Sequence, residues 1–303
     1  MLLSSTHFTF TKKMPEKSTE EIIEIMADAG FDAIDFSFQA KPEYRAARID
    51  GGVGKDEFTE WRKRAEDRGL VFNQAHAPYD SSFDDMDKTV KRFHEIRRSI
   101  INASYLGIPR IVVHPVKHLP YWESGVPERL FEWNLKFFGA LKPYAEEYGV
   151  TICIENMYRQ PTELYVPSVC SDPNEFVRYV DALDSECFKA CLDVGHAALV
   201  KVDPCDSIRA LGKDRLRALH IHDVDLVDDL HTLPYLAKIN WDSVCTTLKE
   251  IGYEGDFTFE AYNFLKPIPR ELVIPAAKFM VKTGRHLINK IQNGGIENES
   301  GIL

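Results

Sequence analysis

The residues with the clearest chemical potential stand at the ends of short apolar segments. In Cys191-Leu192-Asp193-Val194-Gly195-His196 a carboxylate closes such a segment, and an imidazole follows three positions later. An Asp and a His at this spacing suit a metal ion or a polar substrate. An Asp that caps the next turn and a surface His explain the same pair. The motif alone leaves both interpretations open.

Similar polar residues recur at the ends of other segments. Because residues two apart on a strand share a face, the last inward residue of each segment can be identified, and the segment 216–223 has two such residues. These residues are His76, His114, Glu155, Asp193, His220, His222 and Glu260. Buried charges need partners or a metal, so three carboxylates and four histidines around one opening favour a divalent cation. For His76 and His114, a structural hydrogen bond beside Pro78 and Pro115 is the alternative.

Strand-like and helix-like segments alternate along the chain and must position these residues. The predicted strands cover 2–10, 33–38, 70–77, 110–114, 150–156, 188–193, 216–223 and 256–261. Alternation predicts a parallel sheet with helical crossovers, and eight units in 303 residues predict an α/β fold, a single (β/α)8 TIM barrel. An open doubly wound sheet would carry a glycine-rich phosphate turn, which the sequence lacks. In a barrel the carboxyl ends of the strands hold the active site.

Length, charge and composition limit the possible domain organisation, binding partners and cellular location of the protein. Residues 1–289 are assigned to the barrel and 290–303 to a polar C-terminal tail. The net charge of −10 argues against a broad surface for nucleic acid or an anionic membrane. No apolar run approaches the roughly 20 residues that span a bilayer. Six scattered Cys without a CxxC pair, and a start without secretory features, predict a cytoplasmic protein with reduced thiols.

Four fragments together resemble the xylose isomerase-like barrel superfamily. They are Ile152–Asn156, Leu192–His196, Leu219–Asp223 and Phe257–Glu260, and the resemblance extends from Leu2 to about Ile288. This superfamily includes sugar and sugar-phosphate isomerases and epimerases, hydroxypyruvate isomerase, inosose-processing enzymes and apurinic-site endonucleases. Each fragment alone is weakly specific, whereas their order, spacing and strand-end positions together are a strong signal.

The resemblance implies one divalent metal ion, Mn²⁺, Co²⁺, Zn²⁺ or Mg²⁺, and a set of site residues. The implied ligands are Glu155, Asp193, His220 and Glu260. His220 is preferred to His222 because His220 to Asp223 fits the family pattern His-x-x-acid, although His222 points to the same side. His196 matches a histidine that contacts substrate in the family. The further substrate-binding candidates are His222, His76, His114 and His231.

The function implied by the resemblance is isomerisation or epimerisation of a small sugar or sugar phosphate. In this hypothesis the metal stabilises an enediolate while the catalytic residues Glu155 and Glu260 transfer protons on opposite sides of the substrate. The expected partner is therefore a small carbohydrate, with no nucleic acid and no membrane, and homo-oligomers are common among the relatives. The alternatives are a dehydratase or lyase of the inosose type, a zinc apurinic-site endonuclease and a non-catalytic carbohydrate-binding barrel.

The chain departs from the epimerases at one position and matches the endonucleases at several. Leu226 stands where some epimerases carry an Arg that contacts ketohexoses, while Asp229, His231 and Pro234 resemble uncharacterised sugar-phosphate isomerase-like proteins. The residues that match much of the three-zinc endonuclease set are His76, His114, Glu155, Asp193, His196, His220, Asp229, His231 and Glu260. After strand ends four, five and eight, the basic residues Lys117, Arg159 and Lys266 either meet a substrate phosphate or lie on a solvated surface.

Overall fold

The computed structural model describes residues 1–46 and 51–294, and eight of its strands form a parallel barrel. The strands are β1 (Leu3–Thr6), β2 (Ala33–Ser37), β3 (Val71–His76), β4 (Arg110–Val113), β5 (Thr151–Glu155), β6 (Tyr158–Arg159), β7 (Val166–Pro167), β8 (Phe188–Asp193), β9 (Leu216–His220) and β10 (Phe257–Phe259). The barrel order is β10-β1-β2-β3-β4-β5-β8-β9, and β6 and β7 form a separate antiparallel pair. The circle closes where Ile221 N donates to Thr258 O at 2.9 Å and Glu260 N donates to Ile221 O at 3.0 Å. This confirms the predicted (β/α)8 barrel.

Helices surround the barrel and connect its strands. They are α1 (Phe8–Lys13), α2 (Thr19–Ala29), α3 (Lys55–Asp67), α4 (Met86–Tyr105), α5 (Val126–Tyr148), α6 (Pro173–Ala182), α7 (Val194–Leu199), α8 (Pro204–Arg215, kinked at Gly212), α9 (Trp241–Glu250) and α10 (Val273–Asn293). Several begin at side-chain caps: the Ser18 side chain accepts from Glu21 N, and the Asp172 side chain accepts from Glu175 N. In the described part of the chain, none of these helices has the length and apolarity needed to cross a membrane.

The period-two pattern of the strands separates the barrel interior from the outer core. Val112, Cys153, Cys191 and Ala218 form a buried cluster inside the barrel. Their chain neighbours Ile111, Ile152, Leu192 and Leu219 belong to the larger core between strands and helices. Residues two positions beyond the inner cluster share its face, so Glu155, Asp193 and His220 extend the barrel lining to its carboxyl-terminal mouth.

The structure differs from the predicted element boundaries at several points. The first strand ends at Thr6 instead of continuing to residue 10, because Phe10 N and Thr11 N donate to His7 O and begin α1. Alternating Phe and Thr over residues 8–11 imitates a strand, and so short an apolar run does not distinguish the two structures. The seventh barrel strand, β9, stops at His220 rather than at residue 223.

The chain end also differs from its prediction. Helix α10 continues to Asn293, where Gly294 adopts the left-handed conformation (φ 72°) that ends it. Residues 290–293 of the predicted polar tail are therefore helical, and residues 295–303 lie outside the described residues. The division into one barrel domain and a tail stays a prediction.

One buried carboxylate holds the loop that follows β9. Asp223 accepts hydrogen bonds from Val224 N (2.9 Å), Ile239 N (3.0 Å), Ala237 N (3.2 Å) and Trp241 Nε1 (2.9 Å). Asp223 and Trp241 are both buried. The two ends of the loop are thus joined at one side chain, and the segment between them carries Asp229 and His231.

Replacing Asp223 with Ala should destabilise the fold, because four donors lose their acceptor. We expect the free energy of unfolding to fall by about 3 kcal/mol, since each buried unsatisfied donor is unfavourable. Urea unfolding measures this change. The matched control is Asp225→Ala, which removes an acceptor for Val227 N and Asp228 N in an exposed turn and should cost less than about 1 kcal/mol. Equal losses in the two variants would contradict the anchoring role of Asp223.

Candidate active site

Four residues predicted as metal ligands come together at the mouth of the barrel. Glu155, Asp193, His220 and Glu260 are buried, and each offers one ligand atom within 4.8 Å of the others. His220 Nδ1 lies 2.7 Å from Glu155 Oε1, 3.6 Å from Glu260 Oε2 and 3.9 Å from Asp193 Oδ2. One imidazole nitrogen thus faces three carboxylates, a mixed donor set that suits a transition-metal dication.

The electrostatics of this cluster fit a cation. Burial raises the pKa of Glu260 well above its usual range, and the charges of Glu155 and Asp193 raise it further. Burial also acts to raise the pKa of Glu155, but His220 and His114 outweigh it and hold that pKa well below its usual range. With protein groups alone, the protonated form of Glu260 is therefore favoured, because three carboxylates lie close together in a buried site. A divalent cation would supply the missing positive charge.

Glu155 is also the centre of a second group of histidines. Its Oε2 lies 2.9 Å from His114 Nε2 and 3.3 Å from His76 Nε2. The His76 ring stacks on the His220 ring, with 5.3 Å between centroids. The His76 Nδ1 atom lies 2.7 Å from Ala77 O, so this histidine has both a structural hydrogen bond and a contact with the cluster. The two interpretations of His76 therefore do not exclude each other.

A third group lies on the other side of Asp193. His196, His222, Asp229 and His231 offer ligand atoms within 4.8 Å of one another. His222 Nε2 contacts Asp193 Oδ1 at 2.9 Å, and its ring stacks on His231 at 3.9 Å. Burial lowers the pKa of His222, but Asp193 outweighs this and raises it to about 9. His220 thus faces the three carboxylates, whereas His222 contacts only Asp193 among them and belongs to this third group.

Asp193 combines the two roles that its sequence motif left open. Its Oδ1 accepts from His196 N at 2.7 Å and so caps α7, while the same carboxylate faces His220 and His222. Asn156 holds it from the neighbouring strand: Asn156 Oδ1 accepts from Asp193 N at 2.7 Å, and Asn156 Nδ2 donates to Asp193 O at 2.9 Å. His196 is buried, so the alternative of a surface histidine is wrong.

The cluster opens into a chamber of about 200 Å³, called here the inner chamber. Five of the predicted catalytic and substrate-binding residues line it, namely His114, Glu155, His196, His231 and Glu260, and so do Lys117 and Asp229. Sequence reasoning missed Tyr79 and Tyr262, which also line it and stack on His114 (5.4 Å) and His231 (4.0 Å). Each tyrosine follows a polar strand-end residue by two or three positions, and that spacing is the only signal the sequence offers.

Gly195 lies against the His222 ring so closely that a side chain does not fit. A Cβ at this position would be 2.1 Å from His222 Cε1 and 2.5 Å from His222 Nε2. Gly195 stands within α7, where the helical backbone itself accepts alanine. The glycine is therefore required by the approach of an imidazole and not by its own conformation.

Gly195→Ala should displace His222 from Asp193 while leaving the barrel folded. We expect the pKa of His222 to fall from about 9 toward its usual value, because the contact with Asp193 is what raises it. Histidine Cε1–H signals in an NMR pH titration of the metal-free protein report this shift. The matched control is Gly139→Ala in α5, whose added Cβ meets nothing within 4 Å. An unchanged His222 titration in Gly195→Ala would show that the contact does not constrain the ring.

Comparisons with known proteins agree with this architecture. A sequence model described as xylose isomerase-like TIM barrel matches residues 23–282. An uncharacterised protein of Methanocaldococcus jannaschii is 30% identical over 202 residues, which are 65% of this chain and 67% of that protein.

Two solved structures illustrate the likeness of the fold. The D-psicose 3-epimerase of Clostridium cellulolyticum with D-tagatose is similar with a TM-score of 0.73 and 16% identity, covering 95% of this chain and 99% of that one. The IOLI protein with a bound zinc atom is similar with a TM-score of 0.70 and 17% identity, covering 98% and 100%. At these identities the likeness shows the fold alone. The family match over most of the chain shows that this protein belongs to the xylose isomerase-like TIM barrel family.

Proposed function

We propose that the protein is a divalent-metal-dependent isomerase or epimerase of a small sugar or sugar derivative. The observation that carries this proposal is the position of Glu155 and Glu260. Both are buried, both line the inner chamber, and both belong to the four-residue ligand cluster. The D-psicose 3-epimerase that holds D-tagatose has the same fold and supports a carbohydrate as the substrate class.

Glu155, Asp193, His220 and Glu260 would hold the metal ion. A bound divalent cation supplies Lewis-acid stabilisation of negative charge that develops on a substrate oxygen. The zinc atom in the structurally similar IOLI protein is consistent with such a site. Asn156 and the first turn of α7 fix the orientation of Asp193, which a well-defined coordination sphere requires.

In the metal-free protein the two glutamates have opposed proton affinities, and both face the inner chamber where a substrate would react. His220 and His114 keep Glu155 ionised, so it accepts the proton from the carbon beside the carbonyl group. Burial and the neighbouring carboxylates raise the pKa of Glu260 in the metal-free protein. That proton would be displaced when a metal ion binds, so Glu260 then acts as a carboxylate that passes a proton between solvent and the substrate. His196 and His231 line the chamber beside them and bind substrate hydroxyl groups.

Proton exchange with solvent tests the acid–base assignment. In D₂O, the metal-loaded protein should incorporate deuterium next to the carbonyl of at least one ketose or ketose phosphate, measured by NMR or mass spectrometry. Glu155→Gln and Glu260→Gln should each slow this exchange by at least about 100-fold, the usual contribution of a positioned acid or base. The control Glu132→Gln, on the exposed face of α5, should exchange at the wild-type rate. Unchanged exchange in Glu155→Gln would remove it from the mechanism.

A second candidate function is phosphodiester hydrolysis on a three-metal centre. The observation that favours it is that three possible ligand groups occur within the described residues, two of which share Glu155 and His220 while the third, around His231, is separate. The net charge of −10 opposes binding to a nucleic-acid duplex. A dehydratase or lyase of the inosose type would use the same four-residue cluster and would be recognised by loss of water from its substrate.

Metal content separates these functions. We expect about one divalent ion per chain in the purified or reloaded protein, measured by inductively coupled plasma mass spectrometry. Asp193→Asn should lose it, because the amide keeps an acceptor for His196 N but weakens metal binding. The control Asp203→Asn changes the equivalent cap of α8, where the side chain accepts from Cys205 N, and should keep the metal. About three zinc ions per chain would favour hydrolysis, and no metal after reloading with Mn²⁺, Co²⁺ or Zn²⁺ would refute both functions.

A further inference from the structure

The inner chamber continues into a larger cavity on the side of β4 and β5. This outer cavity has a volume of about 500 Å³, and Asp80, Lys117 and Tyr158 line both spaces. The inner chamber alone, at about 200 Å³, is smaller than the roughly 300–1,000 Å³ typical of ligand sites. A substrate whose carbonyl end lies between Glu155 and Glu260 therefore extends toward the outer cavity.

Among the described residues, Arg159 is a basic side chain of the outer cavity that faces no carboxylate within ion-pair distance. Lys117 Nζ lies 3.3 Å from Asp80 Oδ1, and Lys88 Nζ lies 3.7 Å from Asp85 Oδ2. Across the residues that the structure describes, Arg159 forms no ion pair. Its Nη1 instead donates to the carbonyl oxygens of Lys117 (2.5 Å) and Leu119 (2.9 Å).

The two carbonyl contacts leave the guanidinium group of Arg159 able to bind an anion. Two of its five N–H donors bind carbonyl oxygens, so three remain available. The two carbonyl contacts hold the group in a half-buried position, which reduces the entropy lost when a ligand binds. The remaining acidic residues of the cavity do not replace such a ligand: Asp80 faces Lys117, Asp85 caps α4, and Asp84 is exposed. A planar guanidinium with free donors is suited to a phosphate or carboxylate group.

We propose that Arg159 binds an anionic group at the far end of the sugar, so the substrate is a sugar phosphate or a sugar acid. This inference rests on the proposed function, because the isomerase site determines which end of the sugar enters the inner chamber. His118 also lines the outer cavity, with Nδ1 2.7 Å from Ser82 Oγ and its ring packed on Trp133. Its imidazole is a second nitrogen donor group beside Arg159, and we call the two residues together the anion site.

Binding to the metal-free protein tests the anion site separately from catalysis. Isothermal titration calorimetry compares D-ribulose 5-phosphate, D-fructose 6-phosphate and 5-keto-D-gluconate with their neutral counterparts D-ribulose, D-fructose and L-sorbose. We expect at least one anionic ligand to bind at least about tenfold more tightly than its neutral counterpart, as charge-assisted hydrogen bonds predict. A preference confined to the phosphates identifies a phosphate group as the ligand, and a preference for 5-keto-D-gluconate identifies a carboxylate.

Arg159→Gln should abolish this preference without weakening the binding of neutral sugars. Arg159→Lys should give an intermediate affinity, because one ammonium group does not replace the planar fork. The matched control is Arg178→Gln, which removes the same charge from an exposed pair with Glu128.

Two outcomes would overturn the inference: equal binding of anionic and neutral sugars by the wild-type protein, or a preference that persists in Arg159→Gln. If Arg159→Gln does not fold, the wild-type comparison still tests whether an anion site exists, and Arg159→Lys tests whether it involves Arg159: an affinity for the anions equal to that of the wild-type protein in Arg159→Lys would also count against the inference. If the preference holds but no sugar exchanges protons in D₂O, the isomerase function fails while the anion site stands.

Discussion

The site depends on three carboxylates buried around one histidine nitrogen. Glu155, Glu260 and Asp193 surround His220 Nδ1 at 2.7, 3.6 and 3.9 Å. So much negative charge is stable away from water only if protons, imidazoles or a cation compensate it. The flanking histidines and the raised pKa of Glu260 are two consequences of that constraint. A metal ion would satisfy it more completely, since it replaces a bound proton with two positive charges.

The barrel supplies this arrangement because its strands end on one circle. The four residues come from β5, β8, β9 and the position after β10, and none is adjacent to another in sequence. Contacts around them limit their motion. Asn156 joins the ends of β5 and β8, Gly195 allows His222 to approach Asp193, and Asp223 ties down the loop that carries His231. Positioning therefore involves residues that do not touch the chamber.

The competing functions of the site at the barrel mouth differ more in the charge and size of their substrates than in the metal ligands they need. Of three possible ligand groups among the described residues, two share Glu155 and His220, and the third contacts Asp193 through His222. The imidazole and carboxylate content alone therefore does not select one chemistry. The inner chamber is small, and it widens on the side where Arg159 lies without a carboxylate partner among the described residues. That shape favours a small anionic molecule over a duplex, in agreement with the acidic character of the whole chain.

The sequence by itself determined the alternation of strands and helices, the inward face of each strand and the polar residues at the strand ends. These follow from local periodicity and turn signals, which the chain carries residue by residue. Only the tertiary structure decided that residues 8–13 form α1 and that His220 rather than His222 faces the three carboxylates. The positions of Tyr79 and Tyr262 in the lining of the inner chamber also became clear only from the structure. These features depend on how separate strands are rotated and packed against one another, and no local pattern records that geometry.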